Sequence, residues 1–181
     1  MILETLAAAF IIGLIWGGRL TNLGSLQFRY IAFIFLAYLI QVGIDFGAPR
    51  YYLGVYPYLH MFSYVLLIMA LLKNWSLSGI PLILTGTVLN FLPILFNNGQ
   101  MPVRADMVTP AMAEILASGW AGTHGLTGPS TKLGFLADVI FLPLPYYPQL
   151  VSLGDLVINL GLLFLIIKGM KVQGSLSRET P

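Results

Sequence analysis

The sequence predicts an all-α integral membrane protein with five transmembrane helices and one long extracytoplasmic loop. Of its 181 residues, 57% are hydrophobic and only 9% are charged, whereas a soluble domain carries roughly a quarter charged residues. In addition, five stretches are apolar over about 17 residues or more, which is the lower limit for a helix that spans a bilayer. Too little polar surface remains to cover a soluble globule, so lipid is expected to contact much of the chain.

The predicted spans follow in chain order, at about 2–18, 30–46, 55–72, 80–96 and 153–170. The first span is expected to be retained, because Glu4 precedes its apolar core and Arg19 follows it, the reverse of the charge order in a signal peptide. Pro93 is expected to kink the fourth span. Residues 1–173 are predicted to form a single membrane domain, followed by a disordered cytoplasmic tail over 174–181.

Lysine and arginine are divided unequally between the two ends of these spans. Six lie at one end: Arg19, Arg29, Lys73, Lys168, Lys171 and Arg178. Three lie at the other: Arg50, Arg104 and Lys132. Because cytoplasmic loops are enriched in these residues, we expect the N-terminus outside and the C-terminus in the cytoplasm of a bacterial cytoplasmic (inner) membrane.

The connection from 97 to 152 is then extracytoplasmic, and it is too long for an idle loop. It begins with a turn-forming Asn-Asn-Gly sequence. Thr109 and Pro110 predict the cap and first turn of a short helix that ends near Gly119. The apolar stretch GFLADVIFLPLPYYP, within 133–152, is too short to cross a bilayer and is interrupted by prolines. It is interpreted as a half-helix that lies in the interface or re-enters the bundle.

Strongly polar residues concentrate at the predicted outer ends of the spans. Gln41 and Asp45 share one helix face, and His60 lies near the outer end of the third span. Buried polar groups are costly unless they face one another or water, so an outward-facing pocket is expected. Its candidate residues are Asn90, Asn97, Asn98, Gln100, Arg104, His124, Lys132, Asp138, Asp155 and Asn159.

Two more specific expectations concern Asp155. Asn97 or Asn98 should lie near Asp155 or Asn159, and Arg104 or Lys132 should offset the charge of Asp155 if that carboxylate is buried. Simpler interpretations stay open, because polar residues at helix ends often serve only as caps. Asn90 is better explained as a hydrogen-bonding residue between helices than as a ligand-binding group.

Four pieces of sequence occur in a distinctive order: NFLPILFNNGQMPV at 90–103, His124, TKLGFLADVIFLP at 131–143, and SLGD at 152–155. This combination resembles a bacterial membrane-protein family catalogued only as a domain of unknown function. The resemblance covers most of the chain, with Ala137-Asp138 where Gly-Asp is expected. It implies no activity. It implies that a set of residues acts together: Asn90, Asn98, Gly99, Met101, Pro102, His124, Lys132, Asp138 and Asp155.

Three functions are considered. The first is a binding or accessory membrane protein whose pocket holds a lipid headgroup, a small molecule or a partner chain. The alternatives are an outer-leaflet enzyme acting on a lipid or isoprenoid, with His124 and Asp138 or Asp155 as acid–base residues, and a small transporter or transporter subunit. Membrane lipid is the expected partner, and a membrane-protein partner or homo-oligomer stays open. The small net charge of +2 disfavours nucleic acid. The sequence leaves the cofactor open, and no spacing predicts a metal site.

Overall fold

A computed structural model describes residues 1–51, 53–144, 146 and 148–171, and within these the chain is mostly helical. The helices are α1 (Ile2–Ile15), α2 (Ile31–Gly47), α3 (Tyr56–Lys73), α4 (Ile80–Phe96), α5 (Pro110–Ala117) and α6 (Leu153–Lys171). Four short strands lie between α4 and α6: β1 (Met101–Val103), β2 (His124–Leu126), β3 (Ile140–Leu142) and β4 (Gln149–Val151). The tail predicted over 174–181 lies outside the described residues.

Five long helices lie at the five apolar stretches of the sequence. Of the described helices, α3 and α6 are long and apolar enough to cross a membrane by length and composition, whereas α1, α2 and α4 are apolar but shorter. Helix α1 ends at Ile15, before the expected residue 18, because Gly17 takes a positive φ of 79° that stops the helix. A 3-10 helix, Leu20–Ser25, follows it.

Helix α6 packs between α1 and α4. Its contact with α4 depends on two pairs of facing glycines, Gly86 with Gly154 and Gly79 with Gly161. A Cβ atom on any of these four would collide with the backbone of the opposite partner. The two helices therefore cross with backbone against backbone, as at the small-residue contacts of membrane helices.

The interior is apolar where helices meet, and much of the outer surface is apolar as well. Ala9, Ile166, Ile167 and Met170 form one cluster between α1 and α6. Helices α2 and α3 enclose a second around Ile44. Large side chains project outward from every long helix, among them Ile11, Phe35, Leu39, Phe62, Val88 and Phe164.

The segment between α4 and α6 folds over one end of the helices. Strand β1 pairs in parallel with β2, placing Met101 opposite His124, and Val103 forms a bridge with Asp138. Helix α5 begins as expected, since the Thr109 hydroxyl accepts a hydrogen bond from the Met112 amide. The segment is thus an ordered cover built from short strands and turns.

The prediction of a half-helix within 133–152 is wrong. The stretch forms a 3-10 turn, Gly134–Leu136, followed by the antiparallel pair β3–β4. Pro143 and Pro148 have no amide hydrogen to continue a helix, and the β-branched residues Val139 and Ile140 favour extended backbone.

Candidate functional site

A cavity of about 140 Å³ lies where α2, α3, α4 and α6 meet the β1–β2 cover. Most of the side chains around it are polar or titratable. They are Gln41, Asp45, His60, Tyr64, Asn90, Ile94, Met101, Thr123, His124, Asp138 and Asp155. The volume is enough for several water molecules or a small ligand group.

One wall is a closed set of hydrogen bonds between α4 and the start of α6. The Ser152 hydroxyl accepts from the Asp155 amide at 3.0 Å, and the Asp155 carboxylate accepts from the Ser152 amide at 3.0 Å. This is the reciprocal capping arrangement of a helix N-terminus. Asn90 completes it, since its Oδ1 accepts from the Ser152 hydroxyl at 2.7 Å and its Nδ2 donates to Asp155 Oδ1 at 2.8 Å.

Gly154 lets Asn90 reach this cap. A Cβ atom at Gly154 would collide with Asn90 Oδ1 and would lie 2.6 Å from the Gly86 carbonyl oxygen. Three residues of the Ser-Leu-Gly-Asp sequence therefore have defined structural roles. Ser152 and Asp155 cap α6, and Gly154 admits the amide that connects the cap to α4.

The opposite wall carries His60, which is only 4% exposed. Its Nδ1 lies 2.8 Å from the Gly99 carbonyl oxygen. Because a carbonyl oxygen only accepts, Nδ1 carries the proton, and in the neutral ring Nε2 is an acceptor. Gly99 has a φ of 79° and packs so tightly on Pro57 that a Cβ would lie 2.6 Å from the Pro57 carbonyl oxygen.

A second histidine enters the cavity from β2. His124 Nδ1 lies 2.8 Å from the Thr123 hydroxyl, which lies 3.3 Å from Asp45 Oδ1. Since the carboxylate can only accept, the consistent assignment has Thr123 donating to Asp45 and His124 Nδ1 donating to Thr123. His124 Nε2 is then free to face Asp138, whose Oδ2 lies 3.7 Å away.

Asp138 is the most buried carboxylate of the cavity, with 8% of its surface exposed. Its backbone is fixed by hydrogen bonds with Pro102 and Arg104. No side chain or amide among the described residues forms a hydrogen bond with its carboxylate. Burial, reinforced by the charge of Asp155, raises the pKa of Asp138 to about 7. Burial also lowers the pKa of His124, against the opposite influence of Asp45 and Asp155.

These opposite shifts mean that Asp138 and His124 are not a fixed ion pair. The pKa of the acid rises and the pKa of the base falls, and both shifts disfavour a charged His124–Asp138 pair. His124 Nε2 and Asp138 Oδ2 face each other at 3.7 Å, beyond hydrogen-bonding distance. Asp138 itself can gain or lose a proton close to pH 7.

The family of unknown function DUF5317 matches residues 25–167. The chain belongs to this family. The DUF5317 match begins before α2, ends within α6 and includes every residue that lines the cavity. The family membership expected from the motifs is confirmed, and it assigns no activity. No curated protein and no solved structure matches the chain.

Within the DUF5317 region, four of the ten candidate pocket residues line the cavity: Asn90, His124, Asp138 and Asp155. Asn159 lies one turn below, where its Nδ2 donates to the Asp155 carbonyl oxygen at 2.8 Å. Asn98 is an exposed turn residue with φ 56°, and Gln100 borders a separate pocket beneath Gly122. These last three residues do not line the cavity.

The expected contact of Asn97 or Asn98 with Asp155 or Asn159 is wrong as a hydrogen bond, since neither asparagine bonds to either residue. Asn97 instead holds the cover, because its side chain forms hydrogen bonds with both the amide and the carbonyl of Lys132, at 2.9 and 2.8 Å. The amide that reaches Asp155 belongs to Asn90, two helical turns earlier on the same face of α4.

A cation was expected beside Asp155 only if that carboxylate is buried; Asp155 is half-buried, and neither Arg104 nor Lys132 forms an ion pair with it. Arg104 is exposed and pairs with Asp106, with Nε 2.7 Å from Oδ1. Lys132 is exposed, and no lysine or arginine of the described residues forms an ion pair with Asp155. Asp155 needs no such partner, since it accepts from Asn90 and Ser152 at the positive end of the α6 dipole.

Several lining residues were outside the predicted pocket set. Gln41, Asp45 and His60 are polar residues at the same end of their predicted spans, and this shared depth in the membrane is the sequence signal that places them in the pocket. Thr123 precedes His124 directly, and Ser152 is the first residue of a Ser-x-x-Asp capping pattern. Nothing in the sequence distinguishes Tyr64 from the other tyrosines.

Proposed function

We propose that this chain is a five-span protein of the bacterial cytoplasmic membrane and that its cavity binds a small polar molecule from the extracytoplasmic side. Helices α2, α3, α4 and α6 have 17 to 19 residues. At about 1.5 Å per residue they approach the hydrocarbon thickness of about 30 Å. The large apolar side chains on their outer faces are suited to contact with lipid.

The distribution of lysine residues supports the proposed orientation in the membrane. Lys73, Lys168 and Lys171 lie at the helix ends opposite the cavity, and Lys171 lies over the ring of Trp16 at 4.8 Å. Lysine and arginine near helix ends favour the cytoplasmic side, and tryptophan favours the interface. The cavity and its cover would then face outward.

The observation that carries the binding role is the unmet hydrogen-bonding capacity of the cavity. The Asp138 carboxylate is buried without a hydrogen bond from the described residues, and His60 Nε2 has no partner there either. Buried polar groups are normally satisfied by protein, water or ligand. A polar cavity whose side chains lack hydrogen-bond partners within the protein is suited to binding a polar molecule.

The His124–Asp138 pair favours a second candidate, an outer-leaflet enzyme that modifies a lipid or isoprenoid. A general acid or base works best with a pKa near the working pH, and the pKa of Asp138 is about 7. Binding ranks first because the cavity supports it without any assumption about a reacting group.

Native mass spectrometry of the detergent-purified chain tests the binding role. The wild-type protein should retain a small molecule, and Asp138→Asn, which alters the cavity at constant shape, should lose most of it. Asp106→Asn is the matched control, because Asp106 is an exposed aspartate that lies outside the cavity. Identical spectra with no retained mass in all three proteins would contradict the proposal.

A further inference from the structure

We propose that the ligand of this cavity carries a primary or secondary ammonium group, either on a free small amine or on the headgroup of an aminophospholipid. The inference rests on the binding role proposed above and specifies the chemistry of the ligand. Three features of the cavity carry it: the sign of its charge, the excess of hydrogen-bond acceptors and its size.

The charge of the cavity is one-sided. Three aspartates line it, and no lysine or arginine is among the described lining residues. The carboxylates form a series from exposed Asp45, through half-buried Asp155, to buried Asp138. Bringing carboxylates together away from water is unfavourable unless a cation or a proton accompanies them. Since Asp155 is stabilised by its cap and Asp45 is exposed, a cation is expected nearest to buried Asp138.

The free hydrogen-bonding groups of the cavity are acceptors, apart from the Tyr64 hydroxyl, which can donate as well as accept. His60 lines the cavity, is only 4% exposed and has its proton directed at Gly99, which leaves the Nε2 lone pair without a hydrogen-bond partner among the described residues. The Asp138 carboxylate adds further acceptors. The amide donors have partners within the protein, Asn90 at Asp155 and Gln41 at the Ser63 hydroxyl. The excess of acceptors therefore favours a ligand that carries N–H or O–H donors.

The size and spread of the acceptors favour an ammonium group over a metal ion. No three of the described His, Asp or Glu side chains converge closely enough to hold one metal ion. The cavity of about 140 Å³ exceeds what a bare ion needs, whereas the directed N–H groups of an ammonium reach separate walls. A quaternary ammonium group carries the same positive charge but has no N–H group to donate, so it fits the acceptors less well.

Proton exchange follows from the same geometry. The groups that face Asp138 across the cavity are Asp45 on α2, His60 and Tyr64 on α3, Asp155 on α6, and His124 on β2. The charge of Asp155 helps Asp138 to keep a proton, and a bound ammonium would displace that proton. Because a proton competes with the ligand, affinity is expected to fall as the pH drops through about 7.

The test is the thermal stability of the detergent-purified full chain in ethylammonium, tetramethylammonium or sodium chloride at equal ionic strength. Ethylammonium at about 100 times its Kd should raise Tm by about 5–10 °C at about pH 8, with a smaller rise at about pH 6. The other two cations should produce a clearly smaller rise. Asp138→Asn should weaken the ethylammonium effect and remove its pH dependence, and Asp106→Asn should behave like wild type.

A second arm distinguishes the two sources of the ammonium group. The chain is placed in bilayer nanodiscs of phosphatidylcholine with and without phosphatidylethanolamine. A rise in Tm with phosphatidylethanolamine, without an effect of ethylammonium, assigns the site to a lipid headgroup. An effect of ethylammonium in detergent assigns it to a free amine, and both outcomes support the ammonium ligand.

Two results would overturn the inference. One is equal stabilisation by all three cations; the other is an absence of any effect of ethylammonium together with equal stability in both kinds of nanodisc. The proposed binding role can be judged separately. A retained neutral or anionic molecule in the native mass spectrum would refute the ammonium ligand and leave binding intact.

Discussion

Asn90 Nδ2 donates to Asp155 Oδ1 at 2.8 Å, while Asn90 Oδ1 accepts from the Ser152 hydroxyl at 2.7 Å. One side-chain amide thus connects α4 to both capping residues of α6. Asn90 is only 4% exposed, so its two hydrogen bonds are sheltered from competing water. The position of α6 against α4 and the shape of the cavity wall depend on the same three residues.

Asp155→Asn is expected to lower stability by about 1 kcal/mol, the usual cost of weakening an N-terminal cap. Asp155→Leu should cost about 2–4 kcal/mol, because the cap is lost and the Asn90 amide is left without its acceptor. Thermal unfolding in detergent measures both. Asp106→Asn, an exposed aspartate outside the cap, is the control and should unfold like wild type. Equal stability of all four proteins would show that this cap does not hold α6.

Gly154→Ala should destabilise the protein by several kcal/mol or prevent its folding, because the new methyl group would overlap Asn90 and the backbone of α4. Gly43→Ala is the matched control. Gly43 also lies in a long helix, yet a Cβ there meets nothing within 4 Å, so the change should be neutral or stabilising by up to about 1 kcal/mol. Expression level and thermal unfolding compare the two. A tolerated Gly154→Ala would refute the close contact of α4 and α6.

Asn97→Ala should expose the chain to trypsin after Lys132. In the wild type both the amide and the carbonyl of Lys132 are bonded to Asn97, and a protease must extend that backbone to cleave it. Arg104 is an internal control, because its amide bonds to Asp138 rather than to Asn97. Gel electrophoresis and mass spectrometry of the fragments measure the rates. Faster cleavage at both residues would indicate general loosening of the cover.

The stability of the protein should depend on Asp138 between about pH 4 and pH 7. Burial raises its pKa to about 7, so the folded chain holds a proton that the unfolded chain releases. Its contribution is therefore full below about pH 4 and is lost as the pH rises through about 7. Asp138→Asn should be more stable than wild type at about pH 8, by a few kcal/mol at most. Identical pH profiles of Tm would contradict the raised pKa.

The native chain has no cysteine, so single-cysteine variants can report the sidedness. Ser130→Cys in the cover should react in intact cells with a membrane-impermeant thiol reagent, and Ser76→Cys at the opposite helix ends should not. His124→Cys should react with a small charged reagent, since the His124 side chain lines the cavity and is 44% exposed, and buried Ala9→Cys should stay unlabelled. The reverse pattern for Ser130 and Ser76 would invert the proposed orientation.

The long helices could be predicted from the sequence because each is a run of apolar residues bounded by glycine, proline or charge. The N-terminal cap of α5 could also be predicted, because it depends on two adjacent residues, Thr109 and Pro110. The extended strands β3 and β4 were missed because an apolar run of this length fits a helix and a strand alike. In that segment the positions of the prolines predict the secondary structure better than the hydropathy does.

The pocket was harder to predict because its contacts join residues far apart in the chain. Asn90 and Asp155 are separated by 65 positions, and Thr123 and Asp45 by 78. Periodicity indicates which residues share a face of one helix, but it does not indicate which neighbour that face meets. The charge of Asp155 suggested a cationic partner, whereas backbone and amide hydrogens at a helix start stabilise it instead.

The parallel pairing of β1 with β2 has a practical consequence for protein engineering. The chain leaves the cavity after Val103, passes through α5 and returns at Thr123 to lie beside the strand that it left. Helix α5 packs on β2, and Ser118, just after α5, is exposed and does not line the cavity. Epitope tags, fluorescent reporters or crystallisation chaperones grafted near Ser118 would therefore be connected to the cover without altering the residues that line the cavity.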